Sequence, residues 1–232
     1  MSEWWTYRLS SFLLFAPRTY YRLFELYNAS IWPAQVAAAG LGFCVAMLLR
    51  RGSGPMRARA VPAILAACWL WVAVAFLARR YASINFAATE FAWAFGVEAA
   101  LLVWLGVARA TLEFARPPRV AGRIGFGLLL FALLAQPLLG PALGRSWRQA
   151  EIFGVAPDPT AVATLGILLL ARGRLRWALM IVPAAWCVFT GATLLAMKAP
   201  DWCVGPAAAV TAIMAAIRRE GGLAHRSDAS AA

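Results

Sequence analysis

Four side chains stand where a buried charge or amide could do chemistry. Glu98 lies near the middle of the apolar run "FAWAFGVEAALLVW", where an ionised group costs about 2.5–3.5 kcal/mol on insertion scales. Glu90 lies two turns earlier, on broadly the same side of a helix, with Asn85 and Thr89 nearby. Asp158 sits between Pro157 and Pro159 at the head of "PDPTAVATLGILLLA", and Gln136 precedes Pro137 inside another apolar run. The chemistry open to such a set is the movement of protons or cations. Glu98 reads either as a relay or as one buried acid hydrogen-bonded to a neighbouring helix. Glu90 reads first as an interfacial carboxylate.

Asp158 has a structural reading as well. Asp is a favoured helix N-cap, and Pro suits the first turn, so Asp158 is expected to cap a helix that Pro159 opens. From Thr160 to Ala171 there are then only twelve residues, fewer than the roughly 20 that a crossing needs. Ile152–Ala156 must add a second helical piece or cross as irregular backbone, which survives at membrane depth only inside protein or lining a cavity. Gln136-Pro137 and Pro141 should kink their helix, with lining of the same cavity as the functional option. Arg145 and Arg148 read first as partners of Glu151 and of lipid headgroups, and otherwise as attracting an anion toward the broken helix. Lys198 and Asp201 read as a local bridge or cap in the last outer turn.

The elements that must hold these residues are helices in lipid. Hydrophobic residues make up 62% of the 232 and charged ones only 14%, against about 25% charged in soluble domains. Long apolar blocks predict an all-α membrane protein of about seven transmembrane helices: Trp32–Leu49, Val61–Ala78, Ile84–Ala108, Ile124–Leu143, Ile152–Ala171, Trp177–Met197 and Trp202–Ile217. The fifth and seventh are the shortest signals, and six spans result if the fifth is re-entrant. Fourteen of the 22 basic residues fall on one side of this arrangement and eight on the other. The positive-inside bias then puts the N-terminus outside and the C-terminus in the cytoplasm. The net charge of +12 is thus accounted for by topology, without nucleic acid as a partner.

Residues 1–31 are expected to form an interfacial segment. Tyr20, Leu23, Phe24 and Tyr27 make one face of an amphipathic helix, and Trp4, Trp5, Tyr7 and Trp32 act as anchors. This helix reads as a positioning belt or as a lid over an outer cavity. Residues 32–219 form the transmembrane domain, and 220–232 a disordered cytoplasmic tail. The opening residues lack the pattern of a signal peptide. "PAQVAAAG" from Pro33 overlays "PTAVATLG" from Pro159, which suggests parallel repeats around a linker helix. The four cysteines have no C-x-x-C spacing and the single His225 lies in the tail, so no metal or cofactor is expected. No Ser-His, Cys-His or H-E-x-x-H arrangement marks an enzyme.

Three stretches carry a resemblance: "SEWWTYRLSSFLLFAPRTYYRLFELYNASIWP", "FGVAPDPTAVATLGILLLA" and the region from "VPAAW" to "APDW". Their most specific parts are Y-N-x-x-x-W-P and P-x-P-T-x-x-x-T-L-G. They resemble a family of uncharacterised bacterial multi-pass membrane proteins, a domain of unknown function. In that family cysteine often lies between the two prolines, where this sequence has Asp158, a departure that argues against thiol chemistry. The resemblance implies a bacterial inner-membrane protein and brings no activity, cofactor or partner. The expected function is transport of a small solute or ion, proton-coupled in one version, with Glu98, Glu90, Asp158 and Gln136 as the candidate path. The alternative is a non-catalytic accessory or assembly subunit of a membrane complex, its Ala- and Gly-rich helices packing on a protein partner or a second copy.

Overall fold

A computed structural model of the chain describes residues 15–51, 54–114 and 119–229. Among them the chain is all helical and without strands; Glu113 and Arg172 form an isolated bridge. The helices are α1 (Pro17–Ser30), α2 (Ala34–Arg50), α3 (Pro55–Trp71), α4 (Ala88–Leu101), α5 (Arg119–Leu130), α6 (Gln136–Ala142), α7 (Pro157–Leu170), α8 (Arg176–Ala196) and α9 (Val204–Ala229). Four continuous helical stretches are long and apolar enough to cross a membrane: Pro55–Ser83, Ala88–Ala108, Val120–Ala142 and Arg176–Ala196. A fifth follows if α1 and α2, bent by 90° at their junction, are counted as one span. α9 runs through Ala229, past the expected end at Ile217 and into the segment expected to be disordered. The proposed anchors Trp4, Trp5 and Tyr7, and residues 230–232 of the tail, lie outside the described residues.

The axis of the molecule is α7. All its residues from Pro157 to Leu170 are buried, the pattern of a helix that is apolar all round. It can be enclosed so tightly because α5 crosses it at a pair of glycines. A Cβ on Gly166 would come within 2.5 Å of the Gly125 carbonyl oxygen, and one on Gly125 within 2.7 Å of the Gly166 oxygen. Backbone meets backbone there, the close approach that small residues permit between membrane helices. In the proposed repeat α2 would be the counterpart of α7, yet α2 exposes Val36, Ala37, Gly40 and Phe43 on one side.

α1 lies across one end of the bundle. The face expected to be apolar, Tyr20, Leu23, Phe24 and Tyr27, is buried, and it packs on protein. Phe24 packs tilted and Tyr27 edge-on against Phe76, at 4.9 and 5.1 Å between ring centroids. Arg22 and Glu25 pair on the outer side at 2.8 Å.

Candidate functional site

The short non-helical run before α7 is buried from Phe153 to Ala156, so each of its backbone polar groups needs a partner. Side chains supply several. Tyr27 donates from its hydroxyl to the Val155 carbonyl at 2.9 Å, and the Asn28 amide donates to the Ala150 and Arg148 carbonyls, both at 2.9 Å. The Gly154 N–H donates to Thr160 Oγ1 at 2.9 Å, and that hydroxyl donates to the Ala156 carbonyl at 2.7 Å. Gly154 has φ +81, and a Cβ there would sit 3.0 Å from Cys68 Sγ. Only glycine suits both demands.

The helix begins at Pro157, earlier than expected, and Ala156 holds the N-cap position without a side-chain cap. Asp158 is therefore not the N-cap. The reason lies in its neighbours. Pro157 and Pro159 carry no N–H, so the first turn keeps few orphan donors and needs no capping oxygen. This frees the Asp158 carboxylate to face α8, where Oδ1 accepts from Trp186 Nε1 at 2.7 Å and Oδ2 from Thr190 Oγ1 at 3.0 Å. It lies in the first turn of α7, at the positive end of the helix dipole.

Asp158 opens onto a pocket lined also by Gln136, Arg145, Glu151 and Asp201. Space for water centres in it is about 20 Å³, room for one or two water-sized occupants. Arg145 is paired directly with Asp201, not with Glu151 as expected, and its guanidinium lies 4.7 Å from the Tyr21 ring centroid. Glu151 keeps a buried Oε2 without a hydrogen-bond partner, as do Gln136 Oε1 and Asp201 Oδ1. All three unpartnered atoms are acceptors. Burial first, then the Asp158 charge, pushes the Glu151 carboxyl far above the usual carboxylate value, against the pull of Arg145. Burial, then the Asp158 and Glu151 charges, raises the Tyr20 hydroxyl well above the ordinary phenol value, and the Tyr21–Arg145 contact brings α1 to the edge of the same pocket.

Residues 18–224 match a family of unknown function (DUF6064). The chain belongs to that family. No curated protein and no solved structure matches it.

In this DUF6064 chain two of the four sequence candidates meet. Asp158 and Gln136 line one pocket, whereas Glu98 and Glu90 do not. Gln136 gets there because the turn before it, Phe131–Ala135, is π-helical, with the Gln136 N–H reaching back to the Phe131 carbonyl. The wider turn eases the clash that Pro137 would have with the carbonyl four residues back, and the helix continues to Ala142. Glu98 is fully buried, and neither carboxylate oxygen has a hydrogen-bond partner. Glu90 and Thr89 are exposed, while Asn85 is buried and accepts from the Ala87 N–H at 3.0 Å. A continuous buried line from Asn85 through Glu90 to Glu98 is thus absent.

The sequence reading missed the roles of Tyr21, Arg145, Glu151, Trp186, Thr190 and Asp201. Arg145 and Asp201 are 56 residues apart, and only the alternation of helices puts their loops at one end. A signal did exist, because the expected topology places the loops around residues 145–151 and 198–201 on the same side as Asp158. Among the described residues no three His, Cys, Asp or Glu side chains are grouped to hold a metal ion.

Proposed function

We propose that this chain is a seven-span transporter of a small solute or ion in the bacterial cytoplasmic membrane. The spans are α2, α3, α4, α5 with α6, α7, α8 and α9, with the N-terminus outside and the C-terminus in the cytoplasm. The pocket at the head of α7 is its outer binding site. The observation that carries this reading is the form of α7. Its 14 residues rise about 21 Å, short of the ~30 Å hydrocarbon core. The remaining depth is irregular backbone ending at a pocket of charged side chains. Broken helices of this kind are where transporters place substrate and ion sites. Exposed Trp32, Phe86 and Trp147 at the same end support an interface there. Glu98, a buried carboxyl deeper in the bundle, serves as an inner proton station in the coupled version.

The test is flux into vesicles. Purified protein in proteoliposomes, with an imposed membrane potential and a trapped pH-sensitive dye, should carry protons; Asp158→Asn should abolish that flux, and Glu98→Gln should uncouple it from pH. Equal dye responses in wild type, both variants and empty vesicles would remove the transport reading.

A second reading, an accessory subunit, is favoured by α2. Its exposed Ala37, Gly40 and Cys44 form a small-residue face of the sort that packs helix on helix. A partner retained at fixed stoichiometry through purification in mild detergent supports it, and a monodisperse isolated chain counts against it.

A further inference from the structure

We infer that the pocket at the head of α7 binds one monovalent alkali cation, held by Gln136 Oε1, Glu151 Oε2 and Asp201 Oδ1. This deepens the transport reading and rests on it for the placement of the pocket at the outer membrane face.

Three observations converge. The first is the set of atoms without partners. Gln136 is 9% exposed and contributes a buried amide oxygen with nothing donating to it, and Glu151 and Asp201 each contribute a buried carboxylate oxygen in the same condition. Buried acceptors without donors cost free energy unless something supplies positive charge or a proton. The second is charge. Three carboxylates, Glu151, Asp158 and Asp201, face one guanidinium, that of Arg145. The positive end of α7 offsets only about half a charge. Arg145 is occupied by Asp201 and lies over the Tyr21 ring, while Asp158 accepts one neutral donor on each oxygen, from Trp186 and Thr190. The negative charge left unbalanced is shared by Glu151 and Asp158.

The third is size and donor type. The open space of about 20 Å³ admits an ion with at most one water. Oxygen donors select hard cations. Among the described residues no three His, Cys, Asp or Glu side chains are grouped to ligate a metal, and with two carboxylates among the proposed ligands a single positive charge matches the site better than a double one. The titratable groups facing Glu151 are Asp158 on α7, Arg145 after α6, Asp201 before α9, and Tyr20 and Tyr21 on α1.

The experiment is thermal unfolding of the full chain in nanodiscs, in NaCl, KCl or LiCl against choline chloride at equal ionic strength. At pH 8 one alkali chloride should raise the midpoint saturably over choline. Glu151→Gln and Gln136→Met should each lose the increment while keeping the helical circular dichroism of the wild type. Superimposed alkali and choline curves would overturn the proposal, as would an increment that survives in both variants. The two proposals fail separately. An alkali increment without vesicle flux keeps the site and removes transport; flux lost in Asp158→Asn but indifferent to alkali ions keeps transport and removes the site.

Discussion

The two ends of α7 solve the same problem in opposite ways. At the C-terminal end, Arg219 Nη1 donates to the Leu169 and Ala171 carbonyls at 2.7 and 2.8 Å, and Arg176 Nη1 donates to Ala171 at 3.1 Å. Arg176 is held in turn by Glu220 at 3.0 Å, which also accepts from Trp177 Nε1 at 2.8 Å. Cationic donors thus close on the negative end of the dipole. At the N-terminal end two prolines delete donors in place of a cap, and two acids and one amide gathered there, Glu151, Asp201 and Gln136, leave three acceptor oxygens unmatched. The first end is finished as structure. The second is finished only when a proton or cation arrives, and this contrast separates a site from a brace.

The comparison breaks most sharply at the brace. Arg219→Met removes two charged hydrogen bonds, to the Leu169 carbonyl and to the Ala171 carbonyl that Arg176 also holds, a loss of about 3 kcal/mol, read by chemical unfolding in detergent. The alkali response of the folded fraction should persist, and a loss of that response would mean that the two ends are not independent. Thr190→Val removes one donor from Asp158 and should cost about 2 kcal/mol. A variant as stable as the wild type would show that Asp158 is not held on α8.

The smallest effect is the pH dependence of Glu151. Its folded-state value lies above the ordinary 4.5, so the native state binds the extra proton. Its contribution is complete below about pH 4.5 and is lost as pH rises through the raised value, with a slope under about 1.4 kcal/mol per pH unit. Glu151→Gln should flatten that slope in choline chloride. A slope of opposite sign would place an ionised, well-paired Glu151 in the native pocket.

Much of the helical layout was legible from composition. The apolar face of α1, the helix begun at the prolines before Thr160, and the burial of Glu98 all follow from periodicity and from the cost of charge in an apolar setting. The site was legible only in part. Asp158 and Gln136 stood out because each lies beside proline in an apolar run. Glu151 and Asp201 looked like ordinary loop residues, and Arg145 looked like a headgroup anchor. Arg219 and Arg176 counted only as basic residues for topology, although both are buried against the end of α7.

What the amino-acid order determined by itself was local: roughly where helices lie, which are mostly apolar, and which acids are too costly to leave unpartnered. Those properties depend on neighbours within a few turns. Tertiary structure alone decided which loops meet, that Arg145 takes Asp201 over Glu151, its nearer neighbour in sequence, and that Asp158 turns from its own helix to α8. The reason is that a charged side chain chooses among partners by distance and burial, and both are set by how helices far apart in the chain cross.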